Sequence, residues 1–172
     1  WLAKYAIKVR EKAALSPLTG KVIAIGVSGI YEEEVWTSTN KNDERMVLEA
    51  FCGHLAGHSR STQARLAGFN VREFDIPFLI GRFLVHDLFP VGFPRKGKDW
   101  QNVVDLRDSV PDGSLDQWAL AMGIGRKTFK SDGVWELDEA QIDEQVSNDV
   151  VLTRTIMRRL NPMPRNQEPY DL

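Results

Sequence analysis

Two aspartates occupy positions where a carboxylate must do more than face solvent. Asp149 lies in a stretch where Ile142, Val146, Val150, Met157 and Leu160 recur at three- and four-residue spacing, the stripe of a core-facing helix. It follows Val146 by one helical turn and so borders that stripe. A carboxylate there has to be capped, ion-paired or metal-bound, because burying an isolated charge is costly. The spacing leaves open both a boundary Asp paired with an arginine and a metal ligand. Asp75 closes the segment GFNVREFD, where a short strand gives way to a helix beginning IPFL. An Asp before an apolar helix serves as an N-cap. Strand ends beside helix N-termini are also where α/β proteins assemble their sites, and the two roles are compatible.

Other polar residues have plainer explanations. Asp105 ends the short run VVDL, and capping or solvation is favoured there over a place near a site. His54 and His58 have the i, i+4 spacing of a metal pair, yet Leu55 rather than Glu follows the first and no third ligand is near; a solvated helix face is expected over zinc. Glu32, Glu33 and Glu34 suit a solvated turn. Arg126, Lys127 and Lys130, and the loop with Arg95, Lys96 and Lys98, are either exposed cations or phosphate contacts. Trp100, Trp118 and Trp135 are expected in the core, with one of them able to stack on a terminal base.

The elements that must position these residues follow from periodicity. Residues 1–15 carry apolar residues at helical spacing and end before Ser16-Pro17, since a residue preceding proline avoids the helical region. Lys21 to Val27 is an almost continuous apolar run, as in a strand buried on both faces. Glu34 to Thr39 alternates, and Gly29 between the two runs suits a hairpin. A helix is predicted from Asn42 or Asp43 to about Leu55, with Met46, Val47, Ala50, Phe51 and Leu55 on one face. Leu66 to Phe69 forms a short strand. A helix follows over about Ile76–Leu88, capped by Asp75 and with Pro77 in its first turn. Val103 to Leu106 forms another strand. Ser114 and Gln117 form a capping box for a helix that Gly123 ends. A last helix spans about Glu139–Leu160 before Pro162 and Pro164, and residues 161–172 form a polar tail. A hairpin followed by strands alternating with helices predicts an α/β chain with one mixed sheet covered by helices.

The 172 residues suffice for one domain with a sizeable core. A net charge of −2 excludes a bulk electrostatic binder of nucleic acid, so any such contact uses local patches. The single cysteine, Cys52, excludes an internal disulfide framework and fits a reducing compartment, hence a cytoplasmic location. No apolar run is long enough to span a bilayer and no signal peptide is visible. The opening residue is Trp1 rather than Met, which suggests the remainder of a longer polypeptide.

The ordered series GFNVREFDIPFL, VVDLRD, GSLDQWALAMGIG, VWEL and NDVVLTRTIMRRL resembles the DEDD exonucleases of the DnaQ-like superfamily. It is most similar to the branch of predicted 3′–5′ exonucleases related to the proofreading domain of family B DNA polymerases. AALSPLTGKVIAIGV resembles the same branch, so the likeness runs from about Ala13 to Leu160. It implies a ribonuclease-H-like mixed sheet flanked by helices over residues 1–160. It also implies four carboxylates holding two Mg2+ or Mn2+ ions for phosphodiester hydrolysis. The second family motif, an Asn, a short spacer, an aromatic and an Asp, matches Asn70, Phe74 and Asp75. Asp75 is then a metal ligand, Phe74 packs beneath it, and Asn70 fixes the strand end or touches substrate. The third motif ends in an Asp on the last helix, matched by Asp149. Arg126 and Lys127 would contact the nucleic acid.

Two features depart from the family. Its first motif, Asp-x-Glu on the first strand, is not found before Lys21, and in the related branch that strand lies well upstream of the AALSPLTG-like segment. We expect it ahead of Trp1; without it the chain holds two of four ligands and would be inactive. Where most members place a Tyr four residues before the last Asp to orient the attacking water, this chain has Gln145, and Glu144 stands where a His variant would place its ring. The implied partner is the 3′ end of single-stranded DNA, alongside replication or repair proteins and away from membranes. The alternative is a catalytically impaired nuclease-like module that binds nucleic acid or protein. A nucleotide- or phosphate-binding α/β protein is disfavoured by the lack of a glycine-rich loop after a strand.

Overall fold

A computed structural model describes residues 16–28, 33–38, 43–58, 66–95, 99, 101, 103–127 and 137–160. The expected N-terminal helix, the polar tail, Trp100, Trp135, Lys96, Lys98 and Lys130 lie outside these residues. The described elements run β1 (Ala24–Ser28), β2 (Glu33–Thr37), α1 (Glu44–His58), β3 (Leu66–Gly68), a π-helical turn (Val71–Asp75), α2 (Ile76–Val85), β4 (Val103–Asp105), a 3-10 turn (Leu106–Ser109), α3 (Leu115–Ala121) and α4 (Glu139–Leu160).

The hairpin forms as the alternation implies: β1 pairs antiparallel with β2, Ala24 opposite Thr37 and Ser28 opposite Glu33. Glu34 lies in the strand as the alternation implies, and Glu33 joins it rather than a solvated turn. β3 pairs parallel with β4, Leu66 opposite Val103 and Gly68 opposite Asp105. One mixed sheet was expected; among the described residues there are two sheets of two strands. Neither β1 nor β3 has a described partner along its second edge. This also explains why every residue of β1 is half-buried rather than buried on both faces.

Helices cover both faces of both strand pairs. Ile25, Val27 and Trp36 pack with Val47, Leu48 and Phe51 of α1, Ile76 and Phe83 of α2, and Val103 of β4 in one core cluster. Residues of opposite parity turn the other way. A Cβ on Gly26 would meet Val146 Cγ1 at 2.5 Å and Val150 Cγ2 at 2.8 Å, so only glycine lets α4 lie this close. Thr37 hydrogen-bonds Asp143 of α4. Val104 joins Leu106, Leu115, Ala119, Leu152 and Ile156 in a second cluster beneath α3 and α4. The period-two switch along each strand thus divides the core into two halves, α1 and α2 on one side and α3 and α4 on the other.

Helix ends follow local chemistry. Ser114 and Gln117 form the expected reciprocal box at α3, and Gly123 takes φ 66° to close it, with Ile124 N–H on the Ala119 carbonyl. α2 stops at Val85 rather than Leu88 because Asp87 adopts φ 54° and the Leu88 N–H returns to the Phe83 carbonyl. A buried ionic network ties the first core half together. Glu44 receives Arg82 Nε at 2.7 Å, Arg82 Nη2 at 2.5 Å and the Val22 N–H at 2.7 Å, with His86 Nε2 at 2.8 Å. Among the described residues no helix is long and apolar enough to cross a membrane.

Candidate functional site

The segment that delivers Asp75 is unusual from its first residue. Asn70 stands at φ 63°, a left-handed conformation that asparagine tolerates better than most residues. The five residues Val71–Asp75 then wind as a π-helical turn, a form concentrated at functional sites. What holds this turn is Asp105. Its buried carboxylate accepts the N–H groups of Asn70 at 2.8 Å, Arg72 at 2.9 Å and Arg107 at 3.0 Å. The capping role foreseen for Asp105 is therefore real, but it serves two turns at once: its own 3-10 turn and the approach to Asp75. Arg107 Nη1 donates to Asn70 Oδ1 at 3.0 Å, and Arg72 Nη2 donates to the Val103 carbonyl at 2.5 Å.

Asp75 stands at the N-cap position of α2 but makes no side-chain cap. The π-turn runs straight into the helix, so Asp75 itself has helical φ −64° and ψ −45°. A capping side chain needs extended backbone at its own residue to reach the N2 or N3 amide, so the expectation of a cap fails and the carboxylate is left for other work. Asp75 is exposed by surface area, yet protein surrounds its carboxyl on most sides. That desolvation, with the like charge of Asp105 added, pushes its pKa up to about 6 from 3.8, against the opposing pull of its own backbone N–H and of Lys127. Phe74 is 39% exposed and stacks on Phe78, ring centroids 5.6 Å apart.

The second carboxylate comes from α4. Asp149 Oδ2 receives Lys127 Nζ at 2.5 Å, while Asp149 Oδ1 is buried with no hydrogen-bond partner. One turn earlier Gln145 is buried, and its Oε1 is likewise without a partner. Of the two options left open for Asp149, an ion pair is present, though with a lysine rather than an arginine. Lys127 is held at its backbone, where its N–H donates to Asp116 Oδ1 at 2.8 Å. Arg126 is exposed, and its carbonyl accepts Asn148 Nδ2 at 2.7 Å. Lys127 thus faces both acidic groups, bonding Asp149 directly and lowering the pKa of Asp75 through space.

Lys127 is the link between the two carboxylates, bonding Asp149 one turn from Gln145 and acting on Asp75 through space, while Asn70 lines a separate surface pocket with Arg72, Glu73, Asp105 and Arg107. Among the described residues no three His, Cys, Asp or Glu side chains converge to hold a metal. His54 instead lies 3.6 Å from Glu34 and edge-on to Trp36. Sequence reasoning missed Lys127 as the counter-ion of Asp149. A lysine 22 residues away carries no periodic signal linking it to that carboxylate. It also missed the buried Glu44–Arg82–His86 network, in which Glu44 is separated from the other two by the whole segment between α1 and α2.

No protein-family model matches the chain, and no curated protein matches it. The fold is similar to that of the family B DNA polymerase from the hyperthermophilic archaeon Pyrobaculum calidifontis, with a TM-score of 0.64 and 20% sequence identity over 86% of this chain. The match covers 22% of the polymerase, so this chain spans about a fifth of that protein's length.

Proposed function

We propose that the chain forms most of a two-metal 3′–5′ exonuclease domain of the ribonuclease-H-like fold, acting on 3′ ends of single-stranded DNA. The observation that carries this reading is the buried Asp149 oxygen left without a partner beside Lys127, the cation that bonds Asp149 and also acts through space on Asp75. The fold likeness to a family B DNA polymerase supports a nucleic-acid role.

The residues present fit part of a divalent-metal site. Asp149 Oδ1 is a buried acceptor in want of a cation, Lys127 stands in for positive charge on Oδ2, and the raised pKa of Asp75 marks a carboxylate whose ionisation lacks compensation. Asp75 and Asp149 would hold Mg2+ or Mn2+, whose contribution when bound is an activated water and stabilisation of the leaving 3′ oxygen. The remaining carboxylates would come from an Asp-x-Glu strand, which the described residues do not include. Gln145 accepts a hydrogen bond from the attacking water through its free Oε1 and so orients it. Phe74 offers a ring face for a terminal base, Asn70 sets the approach, and the exposed Arg126 meets phosphate. The single free thiol suits a reducing compartment.

The test is cleavage of a 3′-labelled single-stranded oligonucleotide by the full-length polypeptide with Mg2+ or Mn2+. Asp75→Asn and Asp149→Asn should each reduce the rate by several orders of magnitude while the far-UV spectrum is retained. Cleavage near the wild-type rate in either variant would sink the assignment. A second reading, a nuclease-like module that binds without cutting, is favoured by Gln145 in the water-orienting position. Oligonucleotide binding that is independent of both aspartates, with no cleavage by the wild type, would select it.

A further inference from the structure

Lys127 has no assigned part beyond a general phosphate contact, yet its geometry is specific. The peptide unit that leads into it is fastened at both its polar atoms. Its own N–H bonds Asp116 of α3 at 2.8 Å, and the preceding carbonyl, that of Arg126, accepts Asn148 Nδ2 of α4 at 2.7 Å. A backbone pinned to two helices aims the side chain, so the ammonium is delivered to Asp149 rather than finding it by chance. The pair is only partly open to solvent, Lys127 at 32% and Asp149 at 29% of their side-chain surface, so water screens it incompletely. The same charge also acts on Asp75.

We infer that Lys127 is the resident counter-cation of this site and competes with the divalent ion for Asp149; the inference rests on the metal-binding reading above. A metal on Asp149 Oδ2 would sit at about 2.0–2.1 Å from the oxygen. The lysine nitrogen already lies 2.5 Å from that atom. A monovalent and a divalent cation cannot share the oxygen at these distances without strong repulsion. Asp149 would therefore hold a divalent ion through Oδ2 only with Lys127 displaced, and Oδ1 is its one oxygen free of that competition. Each cation weakens the other's hold by the same factor, as linkage requires. The lysine thus keeps Asp149 compensated when metal is scarce and raises the metal concentration needed to load the site.

The experiment titrates Mn2+ into the full-length polypeptide and follows free Mn2+ by electron paramagnetic resonance, for wild type, Lys127→Gln, Lys127→Arg and Asp149→Asn. Lys127→Gln should bind the ion at Asp149 at least about fivefold more tightly, the lower end of ordinary coupling between competing sites. Lys127→Arg, which keeps the charge, should stay near wild type. In EDTA, Lys127→Gln should melt below the wild type, because Asp149 loses its counter-ion, and saturating Mn2+ should raise its melting temperature by more than it raises that of the wild type. If Asp149→Asn weakens Mn2+ binding but Lys127→Gln leaves it unchanged, Lys127 is a structural ion pair and the inference falls while the metal reading stands. If Asp149→Asn binds Mn2+ like wild type, the metal is not at Asp149 and both fall.

Discussion

Replacing Asp75 by Asn gives the sharpest test of how the site is built, because it separates electrostatic strain from catalysis. The carboxyl of Asp75 is pushed up to about 6 from 3.8 by desolvation and by Asp105. A raised carboxyl pKa means the folded state holds the proton more tightly than the unfolded state. The protein must therefore lose stability as pH climbs from about 4 to about 6, and the loss is complete above that window. Taken at face value the displacement corresponds to about 3 kcal/mol. Asp75 is exposed by surface area, so solvent screening reduces this, and about 1 kcal/mol is the expected size. Asn keeps the shape and removes the charge. In EDTA at pH 7.5, Asp75→Asn should melt higher than wild type by about 2–4 °C, the shift that 1 kcal/mol produces in a domain of this size. At pH 4 the two proteins should melt together. Added Mn2+ should raise the wild-type melting temperature and leave the variant's nearly unchanged, as expected when a ligand binds only the intact site. Thermal unfolding by circular dichroism across pH 4–8 measures all three arms. A variant less stable than wild type at pH 7.5 in EDTA, or a difference that does not vary with pH, would refute the electrostatic argument.

Two further outcomes follow from the described geometry. Glu44→Gln leaves the buried Arg82 without its carboxylate and should cost about 3–5 kcal/mol in urea unfolding. Burial alone would raise the Glu44 carboxyl, but the bonds from Arg82, Val22 and His86 outweigh it and hold the pKa below 4.5. The stability this provides is full above about pH 4.5 and lost as pH falls below it, so the variant should lack that acid limb. Asp105→Asn cannot accept all three N–H groups that converge on the carboxylate, and should cost about 1.5–3 kcal/mol by denaturant unfolding. Amide hydrogen exchange at Asn70 and Arg72 should quicken, and the pKa of Asp75 should fall from about 6 as the like charge is removed. Unchanged exchange at both amides would mean that the π-turn does not depend on Asp105.

Much of the fold was legible because local rules act over a few residues. The alternation around Trp36 announced the hairpin strand, the Ser114–Gln117 spacing announced a capping box, and the stripe through Ile142, Val146 and Val150 marked the last helix, which spans Glu139–Leu160 as expected. The stripe was displaced by part of a face, because the buried line runs through Ile142, Gln145, Leu152 and Ile156, and Asp149 stands in that line rather than at its border. What the sequence left undetermined depended on contacts between residues far apart along the chain. An Asp before an apolar helix reads as a cap, and only the π-helical turn clamped by Asp105, 30 residues on, withdraws Asp75 from that role. The charge beside Asp149 could come from any cation, and only the packing of the segment after α3 against α4 brings Lys127 to it. Likewise, an apolar run such as Lys21 to Val27 reveals that a strand wants cover on both faces. How many strands lie beside it is decided by hydrogen bonding between distant segments, and here that bonding joins β1 to β2 alone among the described residues.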